Sequence, residues 1–196
     1  MTPTERRTSA STTEQELISR SRSGDLEAFG RLFERYERSI HRYAFHMMGN
    51  SDEADDVKQD TFIKAYRALP GFRGDCTLQT WLLKVAGNLC RDRHKQRSRR
   101  SEVPLTPETD FDLPIASACD SDPVRMLERK DLHALVWRVL LGMPGHRREL
   151  IVLRDLEELS YQQIAELLNC SAASVKLSLF RARRDFRERV NSIQNS

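Results

Sequence analysis

The chain has 196 residues, with 39% hydrophobic and 31% charged residues and a net charge of +3; this is room for one domain of average size or for two small ones, each of which would have a marginal core alone. No apolar run approaches the roughly 20 residues that cross a bilayer, and the first thirteen residues lack the apolar stretch of a signal peptide, so the expected location is the cytoplasm, with no membrane insertion. The modest net charge hides segregation: residues 102–123 hold six acids and neither Lys nor Arg, which leaves about +9 for the rest of the chain, clustered at Arg91–Arg100 and Lys176–Arg189. One basic cluster is an ordinary solvated surface; two of them, on two candidate domains, favour a polyanion partner, nucleic acid above all.

Residues 1–13 read as a disordered tail. From Asp25 a helical pattern runs through Phe29, Leu32, Phe33, Tyr36, Ile40, Tyr43, Ala44 and Met47, spaced by three and four residues, and ends at Gly49 and Asn50. A second helix starts near Ser51, with Asp52 and Glu53 suited to the positive end of its dipole. Its stripe is Val57, Phe62, Ala65, Tyr66 and Leu69, and Pro70-Gly71 stops it. A third begins at Leu78 with Thr77 as N-cap, buries Trp81, Leu82, Val85, Ala86 and Leu89, and continues into the basic stretch.

Residues 101–123, with four prolines, Ser, Thr and the acids, read as a flexible acidic linker. Helices resume after Pro123: one marked by Leu132, Leu135, Val136, Val139 and Leu140 and broken at Pro144-Gly145, then one marked by Leu150, Ile151, Leu153 and Leu156. Ser160 with Gln163 has the form of a capping box at the head of a short helix ending at Leu168. After Asn169-Cys170-Ser171 comes a last helix with Val175, Leu179, Ala182 and Phe186 on one face. No internal repeat and no strand is evident. The fold class is all-α: a tail over 1–13, an N-terminal domain over 14–100, the linker over 101–123 and a C-terminal domain over 124–196.

The last two helices have the layout of a helix-turn-helix, whose second helix enters the major groove. Its non-core faces carry Ser174, Lys176, Ser178, Arg181, Arg183 and Arg184, a supply of phosphate-binding cations and base-edge donors. Phe180 lies off the buried stripe, available to a thymine methyl or to a packing neighbour. A basic amphipathic helix in a purely structural hairpin is the bland alternative.

On the second helix Asp55, Asp56, Gln59 and Asp60 stand beside Val57 and Phe62, with Asp56 and Asp60 one turn apart. Clustered carboxylates can hold a divalent metal, as in a nuclease, but no further acid or His completes a hard-ion site. Plain surface charge is the default. The mixture of Gln59, acids and an aromatic fits a basic protein partner better than bare solvation. The loop Phe72–Thr77 followed by Trp81, Lys84, Asn88 and Arg91 can hold unpaired bases. Trp81 itself fits a core anchor better than a stacking platform, whereas Lys84, Asn88 and Arg91 follow helical spacing and suit DNA. Cys76, Cys90, Cys119 and Cys170 form no C-x-x-C pair and have no His at a zinc spacing, so they are expected to be reduced thiols; no metal or cofactor is expected.

These motifs together resemble the extracytoplasmic-function sigma factors of the sigma-70 family. Ala54-Asp55-Asp56-Val57-Lys58-Gln59-Asp60-Thr61-Phe62-Ile63-Lys64-Ala65-Tyr66 resembles their polymerase-binding helix. Phe72-Arg73-Gly74-Asp75 through Thr80-Trp81-Leu82, with Ala86 and Asn88, resembles their promoter-melting segment. Leu153–Glu157, Leu159-Ser160-Tyr161 and Ile164–Leu168 resemble their C-terminal helix-turn-helix. The likeness spans about Gly24 to Arg189 with the linker unmatched, and three motifs in the right order make it specific.

The resemblance implies a non-enzymatic initiation factor that binds core RNA polymerase (the β′ clamp helices and the β subunit) and promoter DNA, and that an anti-sigma protein holds inactive. Asp55, Asp56, Gln59, Asp60 and Phe62 would dock on polymerase. Phe72, Arg73, Asp75, Cys76, Lys84, Asn88 and Arg91 would capture and melt the minus-10 element. Ser174, Lys176, Leu177, Ser178, Phe180, Arg181 and Arg183 would read the minus-35 element, and the linker would thread toward the polymerase active-site channel and RNA exit path. The recognition helix departs from the family at its start: Ala173-Ser174-Val175-Lys176-Leu177-Ser178 stands where Gly-Thr-Val-Lys-Ser-Arg is common, so Ser178 replaces an Arg. Lys58 is also more polar than is usual. A DNA-binding regulator that works without replacing another sigma factor is the rival reading.

Overall fold

The computed structural model describes residues 13–100 and 123–195, with side chains for 13–97 and 132–195. Among them there are helices and no strand, in the order α1 (Glu14–Arg22), α2 (Leu26–Met48), α3 (Ser51–Ala68), a 3-10 turn (Leu69–Gly71), α4 (Leu78–Arg100), α5 (Pro123–Gly142), α6 (Gly145–Ile151), one π-helical turn (Val152–Leu156), α7 (Tyr161–Leu168) and α8 (Ala172–Gln194). The expected tail and linker lie outside the described residues except at their last positions, where Thr13 is already the N-cap of α1 and Pro123 opens α5.

The local signals act where the sequence puts them. Asp25 accepts from the Ala28 amide and starts α2; Gly49, at φ 79, ends it in the left-handed region that glycine adopts without a Cβ penalty. Asn50 has a different job from the one expected of it. It caps α3 by accepting from Glu53 N, so only two residues, the C-cap Gly49 and the N-cap Asn50, separate the two helices. Thr77 Oγ1 accepts from the Thr80 amide at the head of α4. The capping box at Ser160 and Gln163 is present, and Asn169 at φ 57 makes the αL exit from α7 into the turn. α1 carries no long apolar stripe and is not evident from periodicity; its own capping box, Thr13 with Glu16, and buried Leu17 hold it against α2.

α2, α3 and α4 form a bundle around Ile40, Tyr43, Val57, Leu69 and Leu83. The C-terminal helices close around Leu140, Leu153, Ile164 and Leu179. The two cores are not separate: they merge into one continuous cluster of buried side chains. The join is Trp137 of α5, stacked on Phe45 of α2 at 4.3 Å with planes 5° apart, and touching His46. Arg148 of α6 donates from Nη1 to the Met47 carbonyl at 2.7 Å, and so satisfies an orphan acceptor at the end of α2.

Candidate functional site

Three surfaces carry the residues singled out above. On α3, Asp55, Asp56 and Gln59 are exposed and Asp60 is half-buried. The acids have partners inside the chain: Arg93 of α4 donates to Asp60 at 2.9 Å and to Asp56 at 3.3 Å, Lys58 donates to Asp55 at 2.6 Å, and Arg97 pairs with Glu53. α3 and α4 are thus tied together by a ladder of ion pairs, which explains part of the acidity without any ligand. No group of three metal-binding side chains occurs among the described residues.

Phe62 lies in the apolar stripe as its spacing predicts, and so is not presented on the outer face with the acids. It is only 5% exposed, with its ring 4.5 Å from Phe33 and 6.5 Å edge-on from Phe29. It belongs to the core that supports the face. The apolar side chains presented on that side are Ile63, 49% exposed, and Tyr66, whose ring meets Phe29 edge-on at 4.9 Å. The i+1 and i+4 positions from Phe62 were legible as helix neighbours, but nothing in the periodicity said which would face outward.

The loop between the 3-10 turn and α4 forms the second surface. Phe72 is buried and packs at 5.1 Å on half-buried Trp81, so the pair anchors the loop and does not itself offer a free aromatic face. Gly74, at φ 81, turns the chain and leaves Arg73 and Asp75 in solvent. A cleft of about 480 Å³ opens between this loop and Trp81, Thr80 and Lys84. Lys84 and Asn88 are exposed on α4; the Asn88 Oδ1 accepts from Arg91 at 2.6 Å. Cys76, half-buried, sits in the cleft wall, and burial raises its pKa; burial pushes Cys90 up to about 12. Burial thus disfavours the thiolate form at both positions. Cys119 lies outside the described residues, and Cys170 is exposed.

The third surface is α8. Val175, Leu179 and Ala182 are buried as the stripe requires, with Phe186 half-buried. Ser171 caps the helix by accepting from Ser174 N. Lys176, Leu177, Phe180 and Arg181 are exposed, and Phe180 and Leu177 are among the most exposed large apolar side chains described. Lys176 and Arg181 make no ion pair among the described residues, whereas Arg183 is paired with Asp155 and Arg184 with Glu188. Of the expected DNA-contacting cations on this helix, Lys176 and Arg181 are the ones without an ion-pair partner among the described residues.

Sequence reasoning missed Trp137 and two acids of the C-terminal helices. Glu149 is 4% exposed and accepts from the Tyr43 hydroxyl at 2.9 Å and from Arg91 at 2.6 Å. Glu157, whose side chain is fully buried, accepts a two-pronged bond from Arg42 (2.8 and 3.0 Å) and a third from Ser39 at 2.7 Å. Both acids reach from the C-terminal unit to the N-terminal one.

Comparison with known proteins agrees with this arrangement. Residues 32–100 match Sigma-70 region 2, and residues 133–186 match Sigma-70 region 4. The ECF RNA polymerase sigma-E factor of Salmonella typhimurium is 33% identical over 184 residues, covering 92% of this chain and 96% of that protein. The RNA polymerase sigma-H factor of Pseudomonas aeruginosa is 35% identical over 173 residues, 87% of this chain and 90% of its own length. The sigma factor RpoE of Bartonella quintana, solved with the anti-sigma factor NepR, shares the fold at a TM-score of 0.67 and 20% identity, over 83% of this chain and 96% of that one. With both regions matched in order and the relatives alike along nearly their whole length, the chain belongs to the extracytoplasmic-function sigma factors of the sigma-70 family, alternative sigma factors that direct promoter recognition and initiation and perform no bond chemistry of their own.

Proposed function

We propose that the three surfaces divide the work of initiation along the chain. The outer face of α3, with Asp55, Asp56, Gln59, Ile63 and Tyr66, docks on the β′ clamp helices of core RNA polymerase. The cleft formed by Arg73, Asp75, Cys76 and Lys84, extended along α4 by Asn88 and Arg91, takes the minus-10 element and its unpaired bases. α8 reads the minus-35 element with Ser174, Lys176, Leu177, Ser178, Phe180 and Arg181, while Arg183 adds phosphate-binding charge once it leaves Asp155. The functional boundaries are 14–100 for the polymerase and minus-10 unit, 101–123 for the connection and 124–196 for the minus-35 unit. The protein works in the cytoplasm, where polymerase is, and an anti-sigma protein holds it in reserve, as NepR accompanies the Bartonella factor. No helix among the described residues is long and apolar enough to cross a membrane.

The observation that carries this reading is the exposed start of α8. Two exposed cations that pair with no acid among the described residues, Lys176 and Arg181, and two exposed apolar side chains, Leu177 at 53% and Phe180 at 61%, stand on the second helix of a helix-turn-helix. Such side chains cost solvation in isolation and gain partners against phosphates and thymine methyls in a major groove. The deciding experiment is reconstitution: core polymerase plus the purified chain, with no other sigma factor, on a library of promoters. Transcription from a defined subset is the expected result. Transcription that requires a second sigma factor would leave the chain a regulator and refute the proposal.

A further inference from the structure

We infer that Leu177 reads the 5-methyl group of a pyrimidine in the minus-35 element, so that this factor tells thymine, and equally a cytosine methylated at carbon 5, from unmethylated cytosine. The inference rests on α8 being the minus-35 reader and adds to it the chemical group that is read and the side chain that reads it.

Position comes first. At about 3.6 residues per turn, Leu177 falls on the line of α8 opposite the buried stripe of Val175, Leu179 and Ala182. A helix that keeps its stripe against its own domain puts that opposite line deepest into a major groove. Ala173, one turn before, and Phe180, one turn after, are exposed beside Leu177 and extend it into an apolar ridge. Phe180 also borders a groove lined by Val136, Leu140 and Phe186, which seats its ring within the chain itself. Leu177 stands on the outermost line, 53% exposed. A single exposed leucine is ordinary on a surface. This one is set between cations, with Lys176 on one flank of the ridge and Arg181 on the other, both exposed and neither paired with an acid among the described residues.

Chemistry follows from position. Phosphates take the flanking cations, and those contacts carry no sequence information. Base identity is left to what the ridge presents to the floor of the groove, and the Leu177 side chain has neither donor nor acceptor. It cannot separate the thymine O4 acceptor from the cytosine N4 donor by hydrogen bonding. What an apolar side chain registers is the methyl at carbon 5, which thymine carries and cytosine lacks until it is methylated. Ser174 and Ser178, the hydroxyls of this stretch, lie to one side of the ridge, on the cleft toward α4, and leave the centre of the face to Leu177.

The test uses the full chain assembled with core polymerase, on duplex promoters from the subset it transcribes. Each minus-35 thymine is replaced singly by deoxyuridine, which removes only the methyl. The same position is also built as cytosine and as 5-methylcytosine, each opposite guanine, and Kd is read by anisotropy. At one thymine the deoxyuridine duplex should bind about fourfold more weakly, the effect of one buried methyl group, and 5-methylcytosine should bind more tightly than cytosine by the same ratio. Leu177→Ser should abolish both differences, and Leu177→Met, which keeps an apolar tip, should retain them; Leu177 is exposed, so neither change disturbs the core. No methyl effect at any minus-35 thymine, an effect that survives Leu177→Ser, or one that only Phe180→Ala removes overturns the inference. Lys176→Ala and Arg181→Ala on the parent duplexes separate the two levels. If they weaken binding while the methyl has no effect, α8 remains the reader and Leu177 is not its methyl contact. If they too bind as the parent does, the minus-35 reading of α8 has failed and the inference falls with it.

Discussion

Replacing Phe62 and Ile63, adjacent on α3, one at a time by alanine separates what holds the polymerase-facing surface together from what that surface offers. Phe62 is 5% exposed and packs in the aromatic group with Phe29 and Phe33. Truncating a buried Phe costs about 3–5 kcal/mol through lost transfer energy and the cavity left behind, a large part of the roughly 5–15 kcal/mol that holds a small protein folded. With a urea slope of about 2 kcal/mol per molar, the midpoint should fall by roughly 2 M. Ile63, half in solvent, should change stability by less than about 1 kcal/mol. If it is an anchor of the polymerase contact, its loss costs about 2 kcal/mol of binding, roughly a 30-fold drop in affinity. Urea unfolding followed by tryptophan fluorescence gives the first number and titration of labelled chain with core polymerase the second. A Phe62→Ala protein as stable as its parent would refute the packing. An Ile63→Ala protein with undiminished affinity would remove this face from the interface.

Further outcomes follow from the same geometry. His46 is buried between Phe45 and Trp137, with Nδ1 unpartnered among the described residues, and desolvation, with Arg42 and His133 nearby, lowers its pKa from 6.5 to about 4. The folded chain therefore binds fewer protons than the unfolded one between these values, so the stability from neutral His46 is present above pH 6.5 and fades as pH falls toward 4. Urea unfolding should show a loss of about 2 kcal/mol between pH 7 and pH 5, and a His46→Gln protein that keeps the parent's slope would exclude His46 as its source. Lys176→Ala and Arg181→Ala should each lower transcription from a library randomised over the minus-35 element, whereas Ser178→Arg should shift base preference or raise general DNA affinity, a bidentate guanine contact being worth roughly 1–3 kcal/mol; identical sequence logos and yields for all three would dismiss α8 as the reader. Asn88→Ala should reduce permanganate reactivity of unpaired thymines more than it reduces polymerase binding, and an unchanged open-complex signal would take the melting role from α4.

Most of the fold is legible in the chain because its signals are local. Asp25, Thr77, Ser160 and Ser171 cap the helices that follow them, and Gly49 and Asn169 take the left-handed exits at their ends. The stripe of α8 is legible for the same reason, since Val175, Leu179 and Ala182 recur at helical spacing and are buried. Outward-facing detail was harder. Phe62 and Tyr66 share a face by spacing and both rings meet Phe29 of α2, yet the former, packed also on Phe33, is core and the latter is half-exposed. Arg183 looked like a free cation, and only the fold brings Asp155 to it, twenty-eight positions earlier in the chain.

Contacts between the two units left the faintest trace, and the reason is physical. Glu149 and Glu157 sit in helical segments among other charged residues, where an acid is nearly always solvated, so composition alone assigns them to the surface. Their partners lie 58 to 118 positions away, beyond any periodic pattern. One residue did carry a signal. Gly87 interrupts α4 between Ala86 and Asn88, where a glycine costs about 1 kcal/mol of helix stability relative to alanine. A helix keeps such a residue when something must come close to its backbone, and what comes close here is Tyr43 and the carboxylate of Glu149. The same glycine that weakens α4 as an isolated helix thus admits the C-terminal unit to the side of it that bears Arg91, and a larger residue there would have to displace the acid before it displaced anything else outside the N-terminal bundle.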